Sequence, residues 1–111
     1  MHPNVLCHRD AIAELCRRHG VTRLEVFGSA ARGDDFDPAR SDVDLLVEFG
    51  PDVRQSFDAL FDFEEAVTQV LGRKVDLIER GAVERSRNYI RRANILGDAE
   101  LLYAESARAA A

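Results

Sequence analysis

The sequence is short of positive charge: 15 Lys and Arg stand against 20 Asp and Glu, for a formal net charge of −5 and a pI near 5.1. A protein that holds nucleic acid mainly by neutralising phosphates needs a surplus of cations over its contact face, so direct nucleic-acid binding is not expected. Long hydrophobic runs are also missing. No stretch approaches the roughly 20 apolar residues that cross a bilayer, and the opening MHPNVLCHRDAIAELCRRHG carries charge throughout, which points to a cytoplasmic chain, neither exported nor membrane-bound. Cysteine is scarce. Cys7 and Cys16 lie nine apart, outside CxxC spacing, and Cys16 shares a helical stripe with Ile12, Leu15 and His19, so reduced, structural thiols are expected. His2, His8 and His19 match no common zinc spacing, and His19 suits a helix end. With no repeat, linker or low-complexity segment, residues 1–111 read as a single domain whose 46% hydrophobic content supplies one core and whose tail, from about 104, frays.

What is present alternates between two periods. Residues 10–19 have a helical stripe, with Asp10 as a candidate N-cap and Gly20 as a stop. The segment RLEVF (23–27) reads as a strand ending in Gly28-Ser29, and residues 30–41 as an exposed connection. In DVDLLVEF (42–49) the period of two places Val43, Leu45, Val47 and Phe49 on one face and Asp42, Asp44, Leu46 and Glu48 on the other. Residues 56–71 carry a helical stripe through Phe57, Leu60, Phe61, Phe63, Val67, Val70 and Leu71, closed by Gly72. A third strand is expected at KVDLI (74–78), with Val75 and Leu77 toward the core and Asp76 on the opposite face. Residues 82–96 suit one basic helix, and AELLYA (99–104) fits a last strand or a continued helix equally. The fold class is α/β (α+β), a small mixed sheet with helices on one face, and the other face holds three aspartates.

Three carboxylates on one face repel one another unless they titrate, pair or bind a cation. A divalent metal resolves the conflict, and aspartate oxygens suit Mg²⁺, which takes one or two carboxylates together with waters and substrate phosphates. An acidic chain can then hold a nucleoside triphosphate, because metal ions stand between its carboxylates and the phosphates. The Gly28-Ser29 turn adds backbone N–H groups and a hydroxyl suited to phosphate oxygens. Such a set fits a two-metal displacement at phosphorus, with Asp42 and Asp44 bridging two ions and Asp76 completing the site of the attacking group.

Gly-Ser, a loop, Asp-x-Asp and a later strand Asp together resemble the DNA polymerase beta-type nucleotidyltransferase superfamily. The wording FGSAARGD, SDVDLLVEF and KVDLIE is similar to its smallest branch, the minimal nucleotidyltransferases (MNT), over roughly residues 10–103. The loop at residues 30–41 is longer than that motif usually has. The resemblance implies a polymerase beta-like core, Gly28 and Ser29 as phosphate binders, Asp42, Asp44 and Asp76 as catalytic metal ligands for two Mg²⁺, and Arg32 as a further contact to the triphosphate. It also implies an antitoxin that moves AMP from ATP onto a tyrosine of a HEPN-domain toxin. The 111 residues leave no evident room for an acceptor-holding domain, which fits a protein acceptor.

Two other functions compete with this one. The chain could inhibit a partner by occlusion alone, with the acidic face inactive, or act unaided on a small molecule. Arg85, Arg87, Arg91 and Arg92 fall at helical spacings of seven (85/92) and four (87/91) and suit a partner, a nucleotide or RNA; a solvated face balanced by Glu84 explains them equally. Phe57, Phe61 and Phe63 fit a core better than a base-stacking platform, and Glu48 lies too far along its strand to join the site.

Overall fold

The structure, a computed structural model, describes residues 3–28, 42–51 and 57–105. The element order is α1 (Pro3–Leu6), α2 (Arg9–His19), β1 (Val21–Phe27), β2 (Val43–Phe49), α3 (Phe57–Leu71), β3 (Val75–Glu79), α4 (Arg80–Glu84), α5 (Tyr89–Asp98) and β4 (Glu100–Ala104). The strands form one mixed sheet in the order β3-β2-β1-β4. β1 runs antiparallel to both β2 and β4, while β2 and β3 are parallel and joined through α3. A parallel pair needs such a crossover, and here the helix covers the apolar face of the strands it connects.

That face is the main core. Leu24 and Val26 of β1, Val43, Leu45 and Val47 of β2, and Val75 and Leu77 of β3 pack against Ile12 and Cys16 of α2 and Phe63, Val67 and Leu71 of α3. Phe63 is fully buried, with Phe49 and His19 edge-on to its ring at centroid distances of 6.3 and 5.5 Å. α2 ends at Gly20, whose φ of 73° lets its N–H return to the Cys16 carbonyl. Its N-cap is His8; Asp10, expected there, is instead the second residue of the first turn, where a carboxylate favours the positive end of the helix. Burial pushes the Cys16 thiol up to about 12, whereas Cys7 is exposed. Iodoacetamide at mildly alkaline pH is therefore expected to add one adduct to the folded chain, at Cys7, and a second only after denaturation, as peptide mass mapping would show.

The opposite face is not bare. Phe27, Leu46 and Val83 form a second, smaller cluster, joined by Ile78, Ile95, Leu96 and Ala99. α4 and α5 thus lie over the part of that face beyond the aspartates. Glu25 lies on this side at only 5% exposure, and its carboxylate accepts from Arg80 and, at 3.2 Å, from Arg23. Removing one partner of a buried pair strands the other's charge, which typically costs about 3–5 kcal/mol. Arg23 still serves Glu25, so Arg80→Ala should cost about 3 kcal/mol in urea unfolding, and the apolar pair Glu25→Leu with Arg80→Met should recover most of it.

Two further expectations need correction, and one open choice is settled. The helix expected over 82–96 is two helices, because Ser86 and Asn88 bond locally in place of a continuous ladder. The Asn88 N–H meets Ser86 Oγ at 3.2 Å, and Asn88 Oδ1 caps α5 by accepting from the Arg91 N–H at 3.0 Å. Arg85 and Arg87 therefore stand on the break, and the helical spacings expected of the four arginines lapse. Phe61, expected in the stripe of α3, is 60% exposed. The open choice at AELLYA resolves as strand β4, with Leu102 buried. The exposed connection expected at 30–41 with Arg32 in it, Ser29, the side chain of Phe57 and the tail from 106 fall outside the described residues.

Candidate active site

The C-terminal end of β1 and the N-terminal ends of β2 and β3 meet at one end of the sheet. Phe27 is the register partner of Asp44, and Asp44 is in turn the register partner of Asp76 on the parallel neighbour. Both aspartates occupy the face away from the main core, since Val43, Leu45, Val75 and Leu77 take the other. Asp42 precedes β2 by one residue and is half-buried, as is Asp44, while Asp76 is exposed. Gly28 follows β1 with a φ of 70°, and a Cβ there would stand 2.6 Å from Asp44 Oδ2. The bare backbone of the turn is therefore packed directly against a site carboxylate.

The carboxylates sense one another. Burial raises the Asp44 pKa above its ordinary value, and the charges of Asp76 and Asp42 raise it further. Lys74, just before β3, places Nζ 3.8 Å from Asp42 Oδ2 and offsets part of this charge. Lys74 is not among the site residues expected from the sequence; its position two residues before Asp76, on the same side by strand alternation, is the signal that could have found it. Glu48, five residues into β2 from the acidic end, is exposed and apart from this group. Among the described residues, no three His, Cys, Asp or Glu side chains are gathered into a group that could hold a metal ion. The structure brings Asp42, Asp44, Asp76 and Gly28 to one end of the sheet, with burial and the charges of Asp76 and Asp42 opposing ionisation at Asp44, and with Gly28 packed against it.

Residues 8–96 match the nucleotidyltransferase domain family, which spans both helical layers and all three acidic positions. The chain belongs to that family. Among relatives of this nucleotidyltransferase, the protein adenylyltransferase MntA of Thermococcus cleftensis is 37% identical over 71 residues, 64% of this chain and 68% of that protein. A solved structure provisionally described as a minimal nucleotidyltransferase is 32% identical, with a TM-score of 0.66 over 85% of this chain and 88% of that one. A chain in the solved complex of tri-AMPylated Shewanella oneidensis HEPN toxin with MNT antitoxin shares the fold at 17% identity, with a TM-score of 0.59 over 90% of this chain and 72% of that one. The mixed sheet with its β2-α3-β3 crossover is accordingly that of a minimal nucleotidyltransferase. No helix among the described residues is long and apolar enough to cross a membrane.

Proposed function

We propose that this nucleotidyltransferase is the antitoxin of a HEPN/MNT pair and a Mg²⁺-dependent protein adenylyltransferase, moving AMP from ATP onto a tyrosine hydroxyl of its HEPN-domain partner. The observation that carries this reading is the pairing of Asp44 with Asp76 across parallel strands, beside the open turn at Gly28. Among the described residues the cation found paired at this end is Lys74, on Asp42, and hard oxygen donors of this kind fit Mg²⁺, which needs only one or two carboxylates because waters and phosphates complete its shell. The three aspartates are not gathered into a ready metal site, so each of two ions would take one or two of Asp42, Asp44 and Asp76 and complete its shell with waters and the oxygens of the triphosphate. Bound there, the metal supplies charge neutralisation at the leaving pyrophosphate and a more acidic attacking hydroxyl.

The chain's own groups do the rest. Gly28 lets the backbone come close to the triphosphate, Ser29 offers a hydroxyl donor to it, and Arg32 adds positive charge. Asp76, the most exposed of the three carboxylates, is open to an incoming hydroxyl and takes up its proton as the new oxygen–phosphorus bond forms at the α-phosphate. The bond from that phosphorus to the bridging oxygen breaks, and pyrophosphate leaves. The names of the relatives support the protein acceptor, and the HEPN toxin in the S. oneidensis complex supports its class.

The test is the intact mass of the HEPN partner after incubation with the chain, Mg²⁺ and each nucleoside triphosphate in turn. A gain of one or more AMP units with ATP, located on tyrosine by peptide mapping, is expected. An unchanged mass while the partner stays bound and inactive would mean inhibition by contact, and transfer to a small molecule without any protein would revive the stand-alone enzyme.

A further inference from the structure

α5 is weakly anchored for a helix of ten residues. None of its side chains is fully buried, although a surface helix ordinarily sinks an apolar stripe into the core. At its start, Tyr89 and Ile90 are 67% and 61% exposed, two large apolar side chains side by side. Beside them a cavity of about 140 Å³ opens between β3, α4 and α5, with Ile78, Ala82, Val83 and Ile95 as its apolar wall and Arg91, Arg92 and Ser86 as its polar rim. Arg92 is held in place by its bond to the Ser86 carbonyl at 3.0 Å.

Charge says what covers this face. A chain of net charge −5 gathers four arginines and no carboxylate into residues 85–92, RSRNYIRR; Arg85 lines a separate hollow with Glu48, Glu79 and Glu84, which leaves Arg87, Arg91 and Arg92 as the cations of this face. The ion pairs found among the described residues use Arg17, Arg18, Arg23, Lys74 and Arg80 and none of these four. The complement to such a patch is an acidic surface carrying an apolar side chain. Location says what the contact is for: Ile78 in the cavity wall lies on the same face of β3 as Asp76, two residues or about 7 Å along the strand. A protein seated on α5 would have a loop within reach of the acidic end of the sheet.

We propose that Tyr89, Ile90, Arg91 and Arg92, with the cavity beside them, form the docking surface for the acceptor protein, which presents carboxylates around an apolar side chain that enters the cavity. This rests on the reading of the chain as a transferase with a protein acceptor and adds where that acceptor binds. Arginine and tyrosine dominate protein interfaces, and desolvated arginine pairs fix register as well as affinity. RNA could also use arginines and a tyrosine, but an aliphatic side chain at Ile90 and an apolar cavity offer nothing to phosphates.

The experiment measures calorimetric affinity for the HEPN-domain partner, using wild type, Tyr89→Ala, the double variant Ile90→Asp/Arg91→Glu, and Arg18→Glu on α2 as a control on the other layer. The double variant should bind the partner about 100-fold more weakly and Tyr89→Ala about 10-fold, while Arg18→Glu stays within about twofold. All should keep the wild-type affinity for a non-hydrolysable ATP analogue, and Tyr89→Ala and the double variant should keep the wild-type melting curve, while Arg18→Glu, which sets a second carboxylate beside Glu14, melts slightly lower. Unchanged affinity in the double variant overturns the proposal, as does an equal loss in Arg18→Glu, no binding of the partner by wild type, or tighter wild-type binding to single-stranded RNA through these residues. A partner that binds through this face but gains no mass with ATP would leave the docking surface standing and sink the transfer reading alone.

Discussion

Asp44→Asn is expected to lower nucleotide transfer about a thousandfold and, in the same protein, to raise the melting temperature. Stabilisation of charge by metal ions is worth several kcal/mol in a phosphoryl transition state, and each 1.36 kcal/mol is a factor of ten in rate, which gives the size of the loss. The gain has a separate cause. Asp44 is half-buried at the end of β2, and both its burial and the charges of Asp76 and Asp42 oppose its ionised form. Asparagine keeps the shape and removes that opposition. Relief of this kind commonly adds about 0.5–2 kcal/mol, or about 5 °C for a domain of this size. Mg²⁺ should distinguish the two proteins without any assay of activity, because a ligand that binds only the folded state raises its melting temperature. Wild type should gain stability with Mg²⁺ and ATP, and Asp44→Asn should gain little. A variant that loses both transfer and stability would mean that Asp44 serves the fold and not the reaction.

The acidic site was legible because strand alternation is a local property. Once Val43, Leu45 and Val47 are assigned to the core, Asp44 must face the other way, and the same holds for Asp76 between Val75 and Leu77. Their adjacency was not legible, since Asp44↔Asp76 is a matter of register between strands separated by a whole helix. Register depends on how α3 packs, and the apolar spacing of α3 underdetermines that: Phe61 and Phe63 are equally apolar in sequence, yet the first is solvent-facing and the second sits at the centre of the core. The second cluster was hidden for a related reason. Phe27, Leu46 and Ile78 share a face with carboxylates, so alternation alone marks that face as wet, and only the return of the chain through α4 and α5 covers its far part. The break between those helices turns on two short polar side chains, Ser86 and Asn88, whose bonds to nearby backbone compete with the helix in some contexts and not in others.

Gly28→Ala tests the turn independently of any charge. At a φ of 70° an L-residue with a side chain is strained, which costs about 1 kcal/mol, so the variant should fold with a modest loss of stability in urea or heat. The new methyl carbon would lie 2.6 Å from Asp44 Oδ2, closer than the two atoms can approach. The backbone there is tied to β1, whereas the carboxylate can turn about its own side-chain bonds, so the carboxylate is what moves. A displacement of about 1 Å in a positioned group can cost about 100-fold in rate, and that is the loss expected in transfer. The pairing of a small effect on stability with a large one on rate is what separates this mechanism from simple damage to the fold. Adding Asp44→Asn to Gly28→Ala should then lower the rate little beyond Asp44→Asn alone, because both changes remove the same well-placed oxygen. Fully multiplicative losses in the double variant would mean that Gly28 acts through the phosphates directly and owes nothing to its contact with Asp44.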